Sequence, residues 1–225
     1  MRTDLVTKWV DRHGQSIVSC KLNCEGIRNE PEKGIVPRCF YSEIKKEPDC
    51  IIVGINPSIS NEREREHYKK SYKDNKRVKY DDVKEFFGKN LKKLKYFKSL
   101  RRFAEEIGFG RSILWTELCK CENKRKGKKP PLQTFRTCMK KFFQKELKKF
   151  PKAPIITAGD QTFQALCYMF PDRFIVGVPH PKGSYATFDR LFKKGKLKLK
   201  TKYKKMAKRT KDKQGNPNCG RIFPS

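Results

Sequence analysis

The chain has 225 residues, enough for one sizeable hydrophobic core with or without a basic tail. Its 55 Lys and Arg stand against 24 acidic residues, a formal net charge of +31. No stretch approaches the roughly 18 apolar residues of a membrane span, and the start, Met1-Arg2-Thr3-Asp4-Leu5, lacks the apolar run of a signal peptide. A charge excess of this size points to nucleic acid, because Lys and Arg release the counterions condensed on phosphates. A lysine-rich solubilising surface is the bland alternative. A membrane surface is disfavoured, since no amphipathic helix with a broad apolar face is legible. The expectation is an intracellular monomer (cytoplasm, nucleoid or nucleus) with reduced thiols.

In chain order, the first strong signal is the apolar run Cys50–Ile55, which predicts a buried strand. The segment Asn61–Lys84 is densely charged and reads as a loop interrupting the first crossover. Leu91, Leu94, Phe97, Leu100, Phe103 and Ile107 then recur at helical spacing. A second strand follows at Ser112–Trp115, and a second helix carries Phe135, Met139, Phe142, Phe143, Leu147 and Phe150. Pro154–Ala158 predicts a third strand, Gln161–Phe170 a helix, and Arg173–Val178 a fourth strand. Lys193–Lys213 has few apolar residues between its many basic ones and reads as a basic helix or arm. Strand–helix alternation argues for a three-layer α/β/α sandwich around a four-stranded parallel sheet with right-handed crossovers. It would form one domain over residues 1–192, with a basic arm over 193–225.

Ligands of an open parallel sheet sit beyond the carboxyl ends of its strands. There the chain places Ile55-Asn56-Pro57-Ser58, Thr116-Glu117, Gly159-Asp160 and Pro179-His180-Pro181. These residues carry a resemblance. Ile51 to Ser58 (Ile-Ile-Val-Gly-Ile-Asn-Pro-Ser) is similar to the first motif of the uracil-DNA glycosylase superfamily, in the form of its mismatch-specific branch. Val178-Pro179-His180-Pro181 resembles the second motif. Thr116 to Cys121, Cys138 and the run Pro154 to Gly159 resemble the middle of the iron–sulfur-containing branch. The ordered set spans roughly residues 20 to 185.

The resemblance implies a monofunctional hydrolase that extrudes a damaged base from DNA, most simply uracil, and cleaves its N-glycosidic bond. Asn56 would position water at the sugar carbon, and His180 would donate to the departing base. Gly54 and Ile55 belong to the implied base-binding loop. Phe86, in Phe86-Phe87-Gly88, would stack on the base, with Phe97 and Tyr72 as alternatives. Glu117 occupies the place of an Asn that reads the uracil edge. An ionised carboxylate only accepts hydrogen bonds, which leaves a deaminated purine or other lesion open. Lys182 stands where the family has Ser. Tyr185 and Phe188 are candidates for the wedge into the duplex. The bland roles are a turn for Asn56 before Pro57 and a surface ion pair for Glu117.

Nine cysteines in a chain of this kind suggest a metal before disulfides. By resemblance, Cys20, Cys24, Cys121 and Cys138 are the thiolates of a structural [4Fe–4S] cluster. The first pair has three intervening residues where the family has two. Cys39, Cys50 and Cys119 are possible substitutes, although Cys50 and Cys167 read better as core residues. Tetrahedral zinc on the same ligands, or no metal, are the alternatives. Two other functions stay open: a non-catalytic nucleic-acid-binding protein on the same fold, and an RNA- or ribosome-associated domain.

Overall fold

The computed structural model describes residues 2–38, 47–91, 93–110, 112–125, 128–181, 188–192, 201 and 219–222. Cys39, Lys182, Tyr185 and the basic segment 193–213, save Thr201, lie outside the described residues. The chain divides into two compact units interleaved in sequence: residues 1–46, 56–90 and 116–151 form the first, and 47–55, 91–115 and 152–225 the second.

The second unit is built on a sheet. Its strands are β2 (Cys50–Gly54), β3 (Ile113–Glu117), β5 (Ile155–Ala158), β6 (Ile175–Val178) and β7 (Cys219–Arg221), in the order β3-β2-β5-β6-β7. β2, β5, β6 and β7 run parallel, with Ile52 opposite Ile156, Ile156 opposite Val176 and Val176 opposite Gly220. Ile51, Ile52, Val53, Ile155, Ile156, Ile175 and Val176 are all buried, so the Ile/Val runs form strands covered on both faces. The expected parallel α/β architecture is present, with five strands in place of four. The fifth is a three-residue edge that no apolar run announced.

Two helices of this unit bury regular faces. α4 (Lys95–Glu106) buries Leu100, Phe103 and Ala104, and α7 (Asp160–Met169) lies on β5 and β6. Gly177 in β6 makes that contact possible, since a Cβ there would come within 2.6 Å of the Phe163 ring. Cys167 is not the small core residue expected. It is half-buried and disulfide-bonded to Cys219 of β7, with Cα atoms 6.0 Å apart. Phe188 is 1% exposed and packs on Phe103 and Phe192, a core position that removes it as a wedge.

The first unit is mostly helical. α1 (Arg2–Val18) turns Val10, His13, Ile17 and Val18 inward. Gln15 of α1 accepts from the Tyr80 backbone N–H at 2.9 Å, which docks α1 on α3 (Tyr80–Asn90). The charged segment expected as a loop is largely α2 (Glu62–Asn75) followed by the start of α3. Asn61 caps α2 by accepting from the Glu64 N–H at 2.9 Å, and Tyr68 anchors the helix at 1% exposure. A cap and one buried ring outweigh the poor apolar periodicity. β1 (Ile27–Arg28) and β4 (Glu122–Asn123) form an antiparallel pair. α5 (Leu132–Cys138), a π turn (Met139–Phe143) and α6 (Gln144–Lys149) complete the unit. Among the described residues, no helix is long and apolar enough to cross a membrane.

Replacing Gly177 by Ala should cost about 1–3 kcal/mol, as overpacking against a ring does. Chemical denaturation checks this; unchanged stability would show that Phe163 can move aside.

Candidate functional site

In the first unit, Asn56 follows β2 as its second loop residue and is half-buried, beside the buried Pro57. Its Nδ2 donates to the Pro57 carbonyl at 3.1 Å. That bond engages one N–H of the amide. Gly54 is buried and Ile55 half-buried just before it.

The loop after Asn56 is held from behind. Glu122 Oε2 accepts from the Ser60 N–H at 2.6 Å, from Ser60 Oγ at 2.7 Å and from Arg38 Nη2 at 2.9 Å. Arg38 also donates to the Ser58 carbonyl and pairs with Glu64.

Glu117 ends β3. Its Oε2 is buried with no hydrogen-bond partner among the described residues, although the residue as a whole is only half-buried. Burial pushes its carboxyl up to about 8, against the pull of the Lys120 and Arg38 charges, with Glu146 adding to the rise. The proton therefore stays on Glu117 at neutral pH. The unfolded carboxyl would lose it near 4.5, so this group makes folding less favourable as pH rises from about 4.5 to 8. The expectation of an acceptor-only carboxylate is corrected: a neutral carboxyl carries one donor and one acceptor.

Behind Glu117 lies a buried network that composition could not show. Lys120 and Glu146 are both 0% exposed. Lys120 Nζ reaches Glu146 Oε1 at 2.7 Å and donates to the Glu117 carbonyl at 2.8 Å. Thr116 Oγ1 donates to Glu146 Oε2 at 2.6 Å, and His13 Nε2 lies 3.4 Å from Oε1. Burial alone would raise the Glu146 carboxyl; Lys120 and His13 outweigh it and hold it below its ordinary value.

Phe86, assigned above to stack on the base, is a buried core residue packed among His67, Tyr68 and Phe87 at 5.6–5.8 Å between ring centres. Tyr72 on α2 is half-buried. In the second unit, Phe97 sits edge-on to Trp115 at 5.1 Å.

His180, also in the second unit, follows β6 and is half-buried between the buried Pro179 and Pro181. Its ring lies 5.3 Å from that of Tyr96, tilted by 39°. Tyr96 begins α4, and sequence reasoning missed it because its neighbours are lysines and another aromatic. Gly159 passes beneath the histidine. Its φ of +93° suits glycine, and a Cβ there would stand 3.4 Å from His180 Cβ.

The cysteines expected as ligands share one neighbourhood of the first unit. Cys20 and Cys24 are half-buried after α1; Cys121 precedes β4 and Cys138 ends α5, both buried. Burial and then the charges of Cys20 and Cys138 raise the Cys24 thiol; burial and then Cys138, Cys20 and Cys24 raise Cys121. Cys138 is pulled down by a hydrogen bond from Cys119 and by the Lys120 charge, and its Sγ accepts from the Lys120 N–H at 3.2 Å. Lys141 Nζ approaches Cys20 Sγ at 3.8 Å. Thiols that repel one another as anions beside N–H donors form a donor set that a bound cation would relieve. The set is not closed into ligand geometry: among the described residues, no three His, Cys, Asp or Glu are grouped to hold a metal ion. Cys50 donates to the Phe109 carbonyl inside the sheet unit, and burial pushes its thiol up, as for a core residue.

The family model of the uracil DNA glycosylase superfamily matches residues 41–205 of the chain. No curated protein matches it.

Proposed function

Because the chain belongs to the uracil DNA glycosylase superfamily, whose model covers most of its length, we propose that it hydrolyses the N-glycosidic bond of a base flipped out of DNA, with uracil as the substrate. Membership supports DNA as the substrate and base excision as the role. The observation that carries the reading is the placement of Asn56 just beyond β2 and His180 just beyond β6. These strands run in the same direction through β5, within the region that the family model matches.

In this reading Asn56 Oδ1 holds water against the sugar carbon, while His180 donates to the base carbonyl that gathers negative charge. The water oxygen bonds C1′ as the C1′–N bond breaks. The bonding pair leaves with the base, and the water proton ends on the base nitrogen. Asn cannot remove that proton, so the reaction relies on an activated leaving group. Tyr96 braces the His180 ring. Glu117, protonated, accepts from the uracil N3–H and donates to O4, the pairing an amide side chain would make.

We also propose that Cys20, Cys24, Cys121 and Cys138 hold a [4Fe–4S] cluster, with structural zinc as the rival occupant. Its contribution would be a crosslink between the chain after α1 and the end of α5, with no part in the bond-breaking step.

Wild-type protein should release free uracil from a labelled duplex. Asn56→Ala and His180→Ala should each slow single-turnover release by about 100-fold or more, with duplex affinity nearly unchanged. Salt-dependent binding without any released base would instead mark a non-catalytic DNA-binding protein. Excision should decline as pH rises through about 8, where Glu117 loses its proton; Glu117→Gln should abolish that limb, and a limb that survives the change would assign it elsewhere. Protein purified without air should contain iron and sulfide; colourless protein carrying zinc would refute the cluster.

A further inference from the structure

Arg38 precedes the region matched by the family model, which begins at residue 41. It nevertheless touches the backs of both loops that carry the reacting groups of the first unit. Its guanidinium donates to the Ser58 carbonyl, two residues after Asn56, and to Glu122 Oε2 at 2.9 Å. Its own backbone N–H donates to the Lys120 carbonyl at 2.7 Å, three residues after Glu117. Glu122 completes the bridge, because the same Oε2 accepts from both the N–H and the hydroxyl of Ser60.

The bridge is buried and made of ion pairs. Arg38, Glu64 and Glu122 are 8%, 6% and 1% exposed. Glu64 pairs with Arg38 from α2, and Arg28 Nη1 stands 3.7 Å from Glu122 Oε1 from β1. Arg28 and Arg38 thus face two carboxylates, and Arg65 Nε, 3.4 Å from Ser60 Oγ, brings a third guanidinium to the bridge. Two Arg38 nitrogens donate to separate acceptors and the third, Nε, pairs ionically with Glu64 Oε1, a fan that the single ammonium of lysine cannot reproduce.

We propose that Arg38 is a positioning residue, whose guanidinium fixes the spacing between the Asn56 loop and the Glu117 end of β3. Its catalytic consequence rests on the excision reading above; its structural claim does not. Water must be held against the sugar while the base edge is read, so a loosened spacing slows the chemical step without weakening the grip on phosphates.

The test compares wild type with Arg38→Lys, which keeps the charge and loses the fan, and with Ser60→Ala, which removes one hydroxyl and keeps every ion. Amide hydrogen exchange is followed by peptide. Arg38→Lys should speed exchange over residues 56–60 and 117–122 by about tenfold or more, leaving the sheet strands β5 and β6 unchanged; Ser60→Ala should do the same more weakly over 56–60. On a uracil duplex, Arg38→Lys should lower kcat by about 10- to 100-fold with KM nearly constant. Unchanged exchange in both loops overturns the proposal, as does wild-type kcat in the variant. If Arg38→Lys fails to fold, Ser60→Ala decides through its exchange over 56–60. Wild-type protein that excises nothing would defeat the excision reading and the catalytic role of Arg38, while the exchange result still decides the bridge.

Discussion

The parallel pairing of β2, β5 and β6 is the constraint on which the rest of the structure depends. Parallel strands cannot be joined by tight turns, so each connection must run back along the sheet before the next strand begins. That requirement places α7 between β5 and β6. Both faces of the strands are buried, which selects Ile and Val and excludes charge. Polar chemistry is left to the strand ends, where Asn56 and His180 leave the sheet.

The second theme is how a chain of net charge +31 treats its few acids. Several are not spent on the surface. Glu64, Glu122 and Glu146 are buried, each against a buried or half-buried cation, and each ties a loop to a helix or strand. Such pairs contribute little net stability, but breaking one leaves an uncompensated charge, so they specify geometry more than they add free energy. Glu117 is the exception. Among the described residues no cation forms an ion pair with its side chain, and burial raises its carboxyl to about 8. In the proposed reading, that neutral carboxyl offers a base edge one donor and one acceptor, as an amide would.

The strands were legible because the solvent-excluded runs at Ile51–Val53, Ile155–Ala158 and Ile175–Val178 are rich in Ile and Val and carry no charge. α4 and α7 were legible from their periodic faces. α1 was not, because its inward face is sparse, Val10, His13 and Ile17 set among Asp11, Arg12, Gly14, Gln15 and Ser16, and α2 was not, because its order comes from the Asn61 cap and Tyr68. β7 has only three residues and is defined by pairing and by the Cys167–Cys219 bond. Asn56 and His180 were singled out from their motifs, and they stand just beyond β2 and β6. The protonation of Glu117, the burial of Phe86 and the Tyr96–His180 contact depend on packing between distant segments, which local sequence does not encode.

The central claim is that base removal uses water alone, with no covalent bond from protein to DNA. It is tested most directly by incubating the protein with a duplex holding one uracil in the presence of borohydride, then resolving base, strand and protein. The account predicts free uracil, a strand that stays intact until treated with alkali, and no protein–DNA adduct. A trapped adduct, or a duplex that is bound and never loses its base, would contradict it.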